Sequence, residues 1–98
     1  MLSIDDITRT ITPIVEPTSV RRVILFGSYA KGTHTRDSDV DIIIDSYGQL
    51  KGMDFFVLSS KLAQALPIAS DIFEQREIKP NSQMHDEIAR EGLVIYER

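Results

Sequence analysis

Two aspartates, Asp39 and Asp41, flank a single valine in an apolar run, and this arrangement could hold a metal ion. Side chains alternate between the faces of a β-strand, so both carboxylates point one way while Val40 and Ile42 point the other. Adjacent carboxylates repel each other, and one is driven towards its neutral form. Mg²⁺ removes that cost, because it binds a few carboxylates and completes its shell with substrate phosphates. Taken alone, the strand leaves open either a metal site or a solvent-exposed acidic edge.

Gly27 and Ser28 follow the first apolar run of the chain and could contact phosphate groups. A glycine at the end of a strand lets backbone N–H groups approach a ligand closely, and the turn after it can direct a helix N-terminus at phosphates. Ser28 adds a hydroxyl donor, and Lys31 adds a positive charge one turn later. An ordinary strand-to-helix turn could use the same residues. Beside the Asp39-Val40-Asp41 strand, we interpret the segment as a phosphate-binding loop.

The elements that position these residues alternate between helix and strand. The predicted elements are a helix that begins after Ser3, is interrupted at Pro13 and ends by Pro17; a strand Arg21–Phe26; a loop Gly27–Ser38; a strand Asp39–Asp45; a helix Met53–Leu66; a strand Ile68–Glu74; a helix capped by Asn81 or Ser82 and followed by Gly92; and a strand Leu93–Tyr96. This order predicts an α+β fold, a small mixed β-sheet with helices on one face.

Length and composition exclude several classes of protein. A chain of 98 residues is expected to form a single domain, residues 1–98. It has no cysteine, which excludes disulfide scaffolds, thiol catalysis and cysteine-ligated metals. The net charge of −4 argues against direct nucleic acid binding. The longest apolar runs, Val23–Phe26 and Val40–Ile44, are too short to span a membrane, and the first residues lack the basic region of a signal peptide, so we expect a cytoplasmic protein.

The spacing of these residues resembles a known signature. Gly27-Ser28, ten intervening residues and Asp39-Val40-Asp41 are similar to the motif of the DNA polymerase β-like nucleotidyltransferase superfamily. The residues of Leu25–Gly32 and of Asp37–Asp41 resemble those of its minimal (MNT) branch, which is a compact domain of about this length. The resemblance implies the polymerase β-like fold and a third carboxylate on a neighbouring strand. Asp71 is our prediction for it, with Asp45 and Asp54 as competing candidates.

The resemblance also implies the chemistry. Asp39, Asp41 and Asp71 would be catalytic and would hold two Mg²⁺ ions, with ATP as the substrate. Asp71 would bind the ion that lowers the pKa of the attacking hydroxyl and is the candidate to take its proton. Gly27, Ser28 and Lys31 would bind the nucleotide. The two histidines, His34 and His85, are isolated in the sequence and are not assigned to the site.

A partner is implied in the same way. MNT proteins resemble antitoxins paired with HEPN-domain RNase toxins, and the resemblance implies transfer of AMP from ATP to a tyrosine of the toxin. Two alternatives stay open: a steric antitoxin that binds the toxin without catalysis, and a nucleotidyltransferase acting on a small molecule such as an aminoglycoside.

Overall fold

The computed structural model describes residues 2–98, which alternate between helices and strands. The elements are α1 Ile4–Val15, β1 Arg22–Phe26, α2 Ser28–Lys31, β2 Val40–Asp45, α3 Gly52–Ala65, β3 Ser70–Glu74, a 3₁₀ turn Gln75–Glu77, α4 Gln83–Glu91 and β4 Leu93–Glu97. A capping box begins α1, since the Ser3 hydroxyl accepts from the Asp6 N–H and the Asp6 carboxylate accepts from the Ser3 N–H. The helix continues through Pro13 to Val15.

Within residues 2–98, four strands form one mixed sheet in the order β3-β2-β1-β4. The central strand β1 pairs antiparallel with both β2 and β4, whereas β2 pairs parallel with β3. A parallel pair needs a crossover connection, and α3 provides it. The α+β class and the mixed sheet that the sequence predicts are therefore confirmed.

The two faces of the sheet carry different apolar clusters. Alternate residues of β1 and β2 pack with α1 and α3; this cluster includes Val23, Leu25, Val40, Ile42, Ile44, Ile7, Ile11, Leu58 and Leu62. The intervening residues Ile24, Phe26 and Ile43 pack with Met84 and Ile88 of α4. The expectation that the helices share one face is thus corrected for α4. Its apolar residues cover the second face, which would otherwise expose Ile24 and Phe26 to water.

The last residue of the chain contacts the end of α1. Arg98 donates from Nη2 to the carbonyl of Glu16 at 2.7 Å, which ties the end of β4 to the end of α1. None of the helices within residues 2–98 is both long enough and apolar enough to cross a membrane.

The burial of Ile42 in β2 predicts that two truncations of its side chain destabilise the fold to different degrees. Ile42 is fully buried between the sheet and the helices, so Ile42→Ala should lower the free energy of unfolding by about 2–5 kcal/mol, the cost of a large-to-small change in a core. Ile42→Val should cost only about 0.5–1.5 kcal/mol. Urea denaturation of both variants measures the difference. Equal losses would show that packing at this position is not what supports β2.

Candidate active site

The acidic residues predicted from the sequence gather at the end of the sheet where β1 finishes and β2 begins. In the β1–β2 pair, Asp41 lies opposite Phe26, the residue that precedes Gly27. In the β2–β3 pair, Asp41 lies opposite Asp71. Asp41 and Asp71 therefore project from neighbouring strands onto the same face, with the Gly27 turn on the other side of Asp41. This is the face that α4 covers only in part.

Asp39 lies just before β2 rather than inside it, because the strand begins at Val40, one residue later than the sequence predicts. Its side chain is exposed. It is nevertheless close enough to act on Asp41 electrostatically. The three carboxylates thus differ in setting: Asp41 is half-buried, and Asp39 and Asp71 are exposed on either side of it.

The electrostatics of the site centre on Asp41. Burial, then the negative charge of Asp71, then that of Asp39, raise the pKa of the Asp41 carboxyl group from 3.8 to about 6. Asp71 is also near enough to share a hydrogen bond with Asp41 when one of them is protonated, and this favours the protonated form further. At neutral pH the site therefore holds mutually repelling carboxylates, an arrangement that a cation stabilises.

Gly27 allows the backbone to approach the Asp41 carboxylate. Its φ of 75° and ψ of −151° belong to a region that residues with a Cβ rarely adopt. A Cβ built at this position would overlap Oδ2 of Asp41 and lie 3.3 Å from its Cγ. Glycine is thus required here twice, by the turn and by the contact with the carboxylate.

The short helix α2 follows this turn. Gly27 is its N-cap and has no side chain to accept from the first N–H groups of the helix. The Ser28 hydroxyl takes no part in the side-chain hydrogen bonds found within residues 2–98. The first turn of α2 thus presents donors beside Asp41 with no partner inside the helix.

Lys31, the predicted nucleotide-binding cation, forms two ion pairs with α4. Its ammonium lies 3.1 Å from Oε2 of Glu91 and 3.2 Å from Oε1 of Glu87, both on α4. The carboxylates of Glu91 and Glu87 raise the pKa of Lys31 above its usual value. Lys31 therefore connects α2 to α4, and its role toward a nucleotide stays a prediction.

The competing candidates for the third carboxylate lie elsewhere. Asp45 is buried at the far end of β2, where it accepts from Arg22 and from the N–H of Tyr47, each at 3.2 Å. Asp54 is exposed in the first turn of α3. Only Asp71 of the three is in register with Asp41. His34 stacks on Tyr29 with ring centroids 4.0 Å apart, so it packs against α2 and is not a free loop residue.

Sequence reasoning missed Glu87, which both binds Lys31 and adds to the negative potential at Asp41. Glu87 and Glu91 lie four residues apart on a short helix, a pattern that is typical of a solvent-exposed helix face. Only the packing of α4 on the second face brings them to the site.

The donor set suits a hard cation without forming a closed cage. Within residues 2–98, no three His, Cys, Asp or Glu side chains are close enough together to enclose a metal ion. Mg²⁺ is commonly bound by one or two carboxylates together with substrate phosphates. Asp41 is half-buried and is repelled by Asp71 beside it, so the pair fits such a site. Asp39 is a further oxygen donor.

The raised pKa of Asp41 predicts a stability that falls with rising pH in metal-free buffer. The folded carboxyl group titrates at about 6 and the unfolded one near 3.9, so the folded chain binds the extra proton between these values. Its stabilising effect is complete below about pH 4 and is lost as pH rises through 6. The full shift would correspond to about 3 kcal/mol, and partial exposure reduces this to about 1–2 kcal/mol.

Asp41→Asn should therefore be more stable than the wild type by about 1–2 kcal/mol at pH 7.5 and nearly equal at pH 4, measured by denaturation in EDTA. Asp37→Asn is the matched control, because Asp37 is exposed in the loop before β2, and it should change little at either pH. An Asp41→Asn protein less stable than the wild type at pH 7.5 would show that the carboxylate supports the fold instead.

Known proteins are similar to this chain over most of its length. The family model described as polymerase beta nucleotidyltransferase matches residues 9–98. A candidate protein adenylyltransferase of Methanocaldococcus jannaschii is 31% identical over 95 residues, covering 96% of this chain and 99% of the relative. The protein adenylyltransferase MntA of Shewanella oneidensis is 39% identical over 54 residues, covering 55% of this chain and 39% of MntA.

Solved structures show the same fold. A toxin–antitoxin crystal structure with AMP-PNP superposes with a TM-score of 0.76 and 25% identity, covering 93% of this chain and 73% of that chain. A complex of a tri-AMPylated Shewanella oneidensis HEPN toxin with an MNT antitoxin has a TM-score of 0.72 at 20% identity, covering 97% of this chain and 73% of that chain. The match across residues 9–98 shows that this chain belongs to the polymerase beta nucleotidyltransferase family, and it is an enzyme of that class.

Proposed function

We propose that this chain is a cytoplasmic, metal-dependent protein adenylyltransferase that transfers AMP from ATP to a tyrosine of a HEPN-domain toxin and thereby acts as its antitoxin. The observation that carries the proposal is the register of Asp41 with Asp71 beside the Gly27 turn. The names of the relatives, protein adenylyltransferases and an MNT antitoxin bound to an AMPylated HEPN toxin, support the choice of acceptor.

Asp39, Asp41 and Asp71 are the residues that would hold Mg²⁺. Bound there, Mg²⁺ would neutralise phosphate charge and lower the pKa of the attacking hydroxyl. Asp71 is exposed on the edge strand β3 and is therefore accessible to an incoming acceptor. In the proposed reaction the tyrosine oxygen bonds to the α-phosphorus of ATP, and the bond from that phosphorus to the pyrophosphate oxygen breaks. Pyrophosphate leaves with the electron pair, and the tyrosine proton passes to Asp71 and then to solvent.

Gly27, Ser28 and Lys31 are proposed to bind the triphosphate. Gly27 leaves room for the Asp41 carboxylate to lie against the backbone of the turn, and Ser28 offers a hydroxyl donor beside it. Since Glu91 and Glu87 already compensate the charge of Lys31, we expect Lys31 to contribute less to phosphate binding than an unpaired lysine would.

A direct test combines the wild-type chain with its co-expressed toxin, ATP and Mg²⁺ and follows the intact mass of the toxin. We expect the toxin to gain one or more AMP increments, and to gain none in EDTA or with Asp39→Ala. Asp39 is exposed and precedes the strand, so this variant should fold and still bind the toxin. It should fail to rescue growth in cells that express the toxin. Full rescue by Asp39→Ala at native expression would instead assign the chain as a steric antitoxin.

The Gly27 turn offers a second test with a close control. Gly27→Ala should slow transfer at least about tenfold, a loss of about 1.4 kcal/mol, because its methyl group displaces the Asp41 carboxylate. Gly32→Ala has the same φ of 75° but an open surrounding, with no atom within 4 Å of the added methyl group. Gly32→Ala should lose about 1–2 kcal/mol of stability, because Gly32 lies in the left-handed α region with ψ of 15°. Gly27→Ala should lose about 1–3 kcal/mol, because ψ of −151° at this φ belongs to a region that essentially only glycine adopts. Equal rates of transfer in the two variants would refute a specific role for the Gly27–Asp41 contact.

A further inference from the structure

The outward face of α3 exposes three large apolar side chains. Met53 is 71% exposed, Phe56 64% and Val57 44%, and we call this group the α3 stripe. Positions three and four apart lie next to each other on a helix, so the three side chains form one continuous patch. Helices on the surface of a monomer normally direct polar residues to solvent.

The α3 stripe is not needed by the fold. Leu58 and Leu62 already anchor α3 on the sheet from the inward side, so the helix is apolar on two sides. Beside the stripe lies a cleft of about 440 Å³, formed where the end of α1 approaches α3. Its walls include Ile14, Leu50 and Val57, which extend the apolar surface beyond the helix itself.

One negative and one positive side chain border this surface, and their spacing allows two copies of α3 to pair them. Asp54 and Lys61 both line the cleft and stand seven residues apart, about two helical turns. Neither belongs to an ion pair within residues 2–98. If two α3 helices pack antiparallel about a point beside Val57, Asp54 of each copy meets Lys61 of the other. A two-fold axis thus pairs both charges at once and brings the two stripes together.

We propose that the α3 stripe is a homodimer interface in which α3 packs antiparallel against α3 of a second copy. Three side chains and a shallow cleft bury less than the roughly 800 Å² per partner of a standard interface, so the dimer is reversible and depends on concentration. It leaves the site accessible, because α3 packs on the face of the sheet opposite Ile43, whose face Asp41 shares. The proposal is independent of the acceptor and of catalysis.

Sedimentation velocity over a wide range of protein concentrations, without ATP or toxin, tests the interface. We expect the wild type to shift from monomer to dimer, and Phe56→Glu to weaken this association at least tenfold. Asp54→Lys and Lys61→Asp should each be monomeric alone, because each places like charges opposite one another. Mixed in equal amounts, the two variants should form a heterodimer, since each charge again faces its opposite.

Lys79→Asp, a reversal at an exposed position outside α3, is the control and should associate like the wild type. Thermal melts of every variant check that the fold is kept. A wild type that remains monomeric at all concentrations overturns the proposal, as does a mixture of the two charge variants that does not associate. Loss of toxin binding by Phe56→Glu, with a wild type that never self-associates, would overturn it as well and assign the stripe to the toxin.

Discussion

The parallel pairing of β2 with β3 is the constraint on which the site depends. It sets Asp41 directly beside Asp71 and leaves no freedom to separate them without losing ladder hydrogen bonds along both strands. Two carboxylates fixed in this way repel each other, and the partial burial of Asp41 increases the cost. A protein that only needed to fold would avoid this pairing. Its position beside the Gly27 turn, whose positive φ glycine adopts readily, is the feature on which the proposed chemistry on phosphates rests.

The two faces of β2 make opposite contributions to stability. One face carries the repelled carboxylate of Asp41, and the other packs in the apolar core. Val40, Ile42 and Ile44 point into the core with α1 and α3, while Asp41 points to the other face. Because successive side chains alternate, a one-residue slip would place the Asp41 carboxylate in the core and move three apolar residues to the face of α4. The core therefore fixes the register of the acidic residues, and the repulsion between them cannot be relieved by shifting the strand.

Much of this arrangement could be predicted from residue types and spacing. The apolar runs around Ile24 and Ile42, the Gly27-Ser28 turn and the alternation of Asp41 with its neighbours each have a local physical cause, so they predict the strands and the face that carries the site. The contribution of α4 could not be predicted in the same way. Its apolar residues Met84 and Ile88 fit either face of the sheet, and the choice depends on which surface the other helices leave uncovered. Glu87 reaches the site only through that choice.

The order of the strands in the sheet has a consequence for how the chain folds during synthesis. The β1–β2 pair joins segments that emerge close together, and with it come the glycine turn and Asp41. Asp71 arrives only after the whole of α3, and β4 pairs Glu97 with Arg22, which lies far from it in the sequence. Such distant contacts form more slowly than local ones. A nascent chain on the ribosome therefore places Asp41 before Asp71 is beside it, and the candidate site is complete only once β3 has docked.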